Sequence, residues 1–66
     1  MTDYAERLRR ALSAFDTRSR SEALHDAQNL VFVLHDAEAT GYVVTDEEDI
    51  LWRKLSERIL DEEFGP

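Results

Sequence analysis

Asp3, Ser19 and Thr45 each carry a side-chain oxygen, and each is followed three residues later by a glutamate: Glu6, Glu22 and Glu48. This spacing marks a helix start. The first residue's oxygen can accept the N–H three positions on, while the glutamate reaches back to the cap's own N–H. Ser19 and Thr45 read as full capping boxes, and Asp3 as a variant with Asp in place of Ser or Thr. The three starts predict helices over about 3–16, 20–40 and 46–63.

The apolar spacing agrees. Tyr4, Leu8, Ala11, Leu12 and Phe15 form one stripe at a period of 3.6 residues, as expected of a helix packed on one side. In the second segment Ala23, Leu24, Ala27, Leu30, Val31, Leu34 and Ala37 form the main stripe, but LVFVL is apolar all round and leaves Phe32 on the opposite side. A strand over LVFVL would need a partner strand, and only YVV offers itself, so the segment is read as helix. Gly41 stands in the helix-ending position, with Tyr42 placed for the apolar contact that often follows. In the third segment Leu51, Trp52, Leu55 and Ile59 make one stripe, while Ile50, Leu60 and Phe64 lie well round from it. Two stripes imply two neighbours. The expectation is an all-α single domain over 1–66, a small three-helix bundle or a helical hairpin plus a helix.

A chain of 66 residues buries only about 60% of its unfolded surface. With no cysteine there is no disulfide to staple it, which leaves tight helix packing and oligomerisation. Phe32, Leu60 and Phe64 exceed what one three-helix core can cover, so a homodimer is expected. No apolar run approaches the roughly 18 residues of a membrane span, and MTDYAERLRR has no apolar stretch after its charges. A cytoplasmic protein with neither membrane contact nor signal peptide is therefore expected.

Charge is unevenly distributed. The first twenty residues hold five arginines against three acids; the rest hold three bases against twelve acids, for a net charge of −7. A field of that sign repels phosphate backbones and attracts basic surfaces. Direct binding of nucleic acid is disfavoured, although Arg7, Arg9, Arg10 and Arg18 would be the contacts of a DNA-associated transcriptional accessory. Asp46, Glu47, Glu48 and Asp49 suit a helix N-terminus, but Asp61, Glu62 and Glu63 crowd a C-terminal end, where the dipole disfavours anions. That excess points to a partner-facing acidic surface.

The stretch DAEATGYVVTDE resembles an EF-hand calcium loop. Asp36, Glu38 and Thr40 fall at positions 1, 3 and 5, Gly41 at the turn, Tyr42 where a backbone carbonyl ligates, and Glu47 at the bidentate position. Glu at position 3, neutral Thr at 5 and Val44 at 9 depart from the pattern, and the same letters serve as the end of one helix and the start of the next. Glu22 and His25 have the Glu-x-x-His spacing of di-iron bundles, which would need carboxylates from facing helices. There is no Cys nucleophile, Gly-rich phosphate loop or Gly-x-Ser-x-Gly elbow, so no enzyme and no cofactor are expected. TDYAERLRR and YVVTDEE resemble pieces of the Hha/YmoA family of small helical proteins that associate with nucleoid proteins. The resemblance covers those two pieces and breaks at the long apolar second helix, so membership is not assigned.

The sequence thus predicts a small acidic, non-enzymatic binding or regulatory protein, an inhibitor that occludes the basic, nucleic-acid-binding surface of a larger protein. Its charge would come from Asp46, Glu47, Glu48, Asp49, Asp61, Glu62 and Glu63, and its apolar anchors would be Phe32, Trp52 and Phe64. A divalent-cation protein built on Asp36, Glu38, Thr40, Tyr42 and Glu47 is the alternative.

Overall fold

The computed structural model describes residues 3–65. Three helices follow one another, α1 (Tyr4–Thr17), α2 (Arg20–Ala39) and α3 (Asp46–Phe64), and there is no strand among the described residues. All three predicted caps are made. Asp3 accepts the Glu6 N–H at 3.2 Å, Ser19 the Glu22 N–H at 3.3 Å and Thr45 the Glu48 N–H at 3.2 Å. Only the third closes reciprocally, with the Thr45 N–H donating to the Glu48 carboxylate at 2.9 Å. The full box expected at Ser19 is half made, because Arg18 takes the Glu22 carboxylate at 3.1 Å. Arg10 likewise holds Glu6, at 2.8 Å.

The connections differ in kind. Extended Arg18 and the cap Ser19 alone join α1 to α2, which turns the chain straight back into a helical hairpin. At the end of α2 the N–H of Tyr42 donates to Ala37 and that of Gly41 to Glu38, the paired bonds of a Schellman ending. Gly41 has φ 105°, a left-handed conformation that costs a residue without Cβ little.

The core is small. Leu8, Ala11, Ala27, Leu30, Leu34 and Leu55 form it, bordered by Tyr4, Leu12, Phe15, Val31, Leu51, Trp52 and Ile59. Among the described residues only Leu8, Leu34 and Leu55 of the large side chains are fully enclosed. Alanines fill much of the rest: Ala5, Ala11 and Ala14 on α1 and Ala23 and Ala27 on α2 are buried, so the hairpin packs on small side chains. α1 lies against both other helices, whereas α2 and α3 meet along a thinner seam. Along that seam the two helices leave a groove open to solvent.

Candidate functional site

The two acidic runs of α3 have separate fates. At the N-terminal end Asp46 is exposed, Glu47 is ion-paired with Arg9 of α1, and Asp49 is paired with Arg53 at 3.3 Å one turn on. Glu48 is only 5% exposed and cannot serve as partner-facing charge. Its carboxylate closes the capping box and accepts the Tyr42 hydroxyl at 2.8 and 2.7 Å. Burial pushes the Glu48 carboxyl up, but bonds from the Thr45 N–H, the Tyr42 hydroxyl and the Thr45 side chain outweigh it and hold the group below its ordinary range. The same bond to Glu48 pushes Tyr42 up to about 12. Tyr42 also meets the Tyr4 ring edge-on, with centroids 5.1 Å apart, so the α2/α3 connection is fastened to α1 as well.

At the C-terminal end the acids do have a structural reason. Antiparallel packing brings the end of α3 beside the start of α2, where Arg20 grips the Glu62 carboxylate and main-chain carbonyl. Arg58 holds Glu62 from within α3 at 3.2 Å, and the Gln28 amide donates to Glu63. The dipole penalty is met by these cross-helix donors. Asp61 alone of the three has no ion-pair or hydrogen-bond partner for its side chain among the described residues.

The apolar residues set aside from the core stripes are exposed: Phe32 is 72%, Leu60 54% and Phe64 78% accessible. Of these, Leu60 lines a groove of about 470 Å³ between α2 and α3, with His35 and Glu38 on one side and Asp49, Trp52 and Ser56 beside it on the other. Trp52 is half-buried and meets the His35 ring edge-on at 4.9 Å. Phe32 precedes His35 by one turn and Phe64 follows Leu60 by one, so both extend the groove's rims. The two crossings Gln28 to Glu63 and His35 to Trp52 set the antiparallel register, and Phe32 falls between them on the α2 rim.

The structure does not bring the calcium candidates together. Asp36 and Glu38 lie in the last turn of α2, Glu47 lies in the first turn of α3, and the Thr40 hydroxyl donates to the Ala37 carbonyl at 2.9 Å. No group of three or more His, Cys, Asp or Glu among the described residues could hold a metal ion, which applies equally to Glu22 and His25. A larger hollow of about 530 Å³ runs between α1 and α2 past Arg7, Arg10, Ser13, Thr17, Arg18 and Asn29. Its cations are already engaged: Arg10 by Glu6, Arg18 by Glu22 and by Asp26 at 3.0 Å, and Arg7 over the Tyr4 ring at 5.7 Å. Volume therefore does not select the site. The α2/α3 groove has uncommitted apolar groups and the α1/α2 hollow does not.

Sequence reasoning missed His35 as part of this surface, and named Leu60 as apolar excess but not among the anchors. The signal was available in their spacing of three and eight from Phe32 and Trp52. The chain matches no protein-family model, no curated protein and no solved structure. No helix among the described residues is long and apolar enough to cross a membrane.

Proposed function

We propose that this chain is a small non-enzymatic binding or regulatory protein that engages, and so occludes, a basic surface on a larger protein. The observation that supports this reading is a coincidence on one side of the molecule. Exposed Leu60 lines the α2/α3 groove together with Glu38, Asp49 and Glu57, and exposed Phe32 and Phe64 lie one helical turn from the lining residues His35 and Leu60, in a chain of net charge −7. Apolar anchors give such a contact its affinity, while the surrounding charge gives it selectivity and speed of encounter. From the predicted set Asp46 and Asp61 have no ion pair among the described residues, and outside it the same holds for Asp36, Glu38 and Glu57. Glu47, Glu48, Asp49, Glu62 and Glu63 are committed internally.

A homodimer would use the same apolar face and exclude such a partner from it. The experiment is a competition assay in which purified basic DNA-binding domains, held on labelled duplex DNA, are challenged with this chain at low and high salt. Release of the duplex at low salt, falling away as salt rises, is the expected result. No release from any of them at low salt overturns the reading, and direct retention of the duplex by this chain would favour the arginine-based alternative.

A further inference from the structure

We propose that the α2/α3 groove seats one helix of the partner, amphipathic and basic at its flanks, which completes a four-helix arrangement. The inference rests on the protein-binding reading and specifies its ligand. Shape is the first support. α1 covers one side of the α2/α3 pair, and the opposite side is open along the seam. Trp52, Ser56 and Leu60 recur every four residues along α3 and form a continuous row, and Phe32 and His35 stand on adjacent turns of α2. Two antiparallel helices of 20 and 19 residues with an unfilled seam present the concave surface into which a third helix's side chains interdigitate. With no strand among the described residues there is no sheet edge for an extended segment to join, and the mode that fits a seam between two antiparallel helices is helix-in-groove.

Charge identifies the occupant. Glu38 and Glu57 line the groove without ion-pair partners among the described residues, and Arg53, the lining arginine, is already paired with Asp49. A helix with an apolar stripe flanked by Lys or Arg places its cations on these rims. A second copy of this chain would do the reverse, bringing Glu38 and Glu57 against acids of the same face, between two bodies that each carry −7.

Trp52 is the chain's single tryptophan and stands in the groove, so its emission reports occupancy directly. The probes are synthetic Leu/Lys/Arg amphipathic peptides of about 18 residues, roughly 27 Å as a helix, lacking Trp and Tyr. A scrambled isomer of identical composition and a Leu/Glu counterpart accompany them. The expected result is a saturable change in Trp52 emission with the amphipathic basic peptide, roughly tenfold tighter than with the scrambled one and absent with the acidic one. The double variant Phe32→Ser, Leu60→Ser should weaken it by about the same factor while melting like the parent, since both side chains are exposed. Equal binding of the scrambled peptide overturns the groove and leaves the acidic-surface reading standing. Failure of every basic peptide overturns both. Sedimentation equilibrium showing a stable dimer that the double variant dissolves would assign the groove to a second copy instead.

Discussion

Replacing Glu48 with Gln tests whether one buried carboxylate fastens the start of α3. The substitution keeps the shape and an acceptor oxygen, so the Thr45 N–H at 2.9 Å retains a partner, but the charge is lost. Hydrogen bonds to an ionised acceptor are about twice as strong as neutral ones, and a neutral bond contributes roughly 1 kcal/mol net. Loss of that assistance, together with the favourable placement of an anion in the first turn, costs about 1–2 kcal/mol after relief of carboxylate burial. For a domain of this size that lowers Tm by roughly 4–16 °C. Thermal melts followed by circular dichroism, run from neutral to acid pH, provide the assay. Because the folded carboxyl titrates below its ordinary value of 4.5, its contribution is fully present above that value and is lost as pH falls through the folded pKa. Parent and Glu48→Gln should therefore differ at neutral pH and converge in acid. Equal melting at neutral pH, or a difference that persists unchanged into acid, would refute a fastening role for the ionised Glu48 carboxylate.

Three further outcomes follow from the same geometry. Leu55→Ala empties a fully buried position and should cost about 2–5 kcal/mol out of a total of roughly 3–10, lowering Tm by at least about 8 °C, whereas Phe32→Ala should leave the melt within about 0.5 kcal/mol of the parent. In a Tyr4→Phe background, ultraviolet absorbance should show the Tyr42 phenolate emerging only near pH 12. The neutral hydroxyl is the form the fold stabilises, so this contribution is present below the ordinary 10 and lost as pH rises through the folded value. Millimolar calcium should raise Tm no more than magnesium at equal ionic strength, since Asp36, Glu38 and Glu47 are held in two separate helices.

Local signals in the sequence were legible because local physics decides them. Asp3, Ser19, Thr45 and Gly41 mark helix ends through bonds to residues three to five positions away, and the structure places the ends within a residue or two of those expected. The stripes of α2 and α3 were readable for the same reason, including the exclusion of Phe32, Leu60 and Phe64 from the core. What depended on another helix, or on a competing side chain, was not readable. Whether Glu22 closes its box turns on Arg18, one residue before the cap. The burial of Glu48 turns on Tyr42, whose hydroxyl reaches it only after the chain has reversed at Gly41. Glu62 and Glu63 looked unexplained along α3 alone, and acquire their reason from Arg20 and Gln28, some 35 to 42 residues earlier.

These pairings also bear on how the molecule associates. A dimer joining the basic first segment of one copy to the acidic surface of another would compete with pairs already made within one chain, Arg9 of α1 with Glu47 and Arg20 at the start of α2 with Glu62. Exposed ion pairs of this kind contribute little to stability, roughly 0–1 kcal/mol each, so they do not by themselves forbid exchange. They do remove the incentive, because every intermolecular pair formed would replace an equivalent intramolecular one. What stays unmatched is mostly acidic: Asp3, Asp16, Asp36, Glu38, Asp46, Glu57 and Asp61 have no ion-pair partner among the described residues, against Arg7 and Lys54. Of the unmatched apolar groups, Leu60 shares the groove lining with Glu38 and Glu57. A surface whose residual charge has one sign is poorly complementary to itself and well complementary to a basic surface. Internal pairing of most of the arginines thus leaves an apolar groove whose unpaired charges are acidic, which is the property the proposed basic partner rests on.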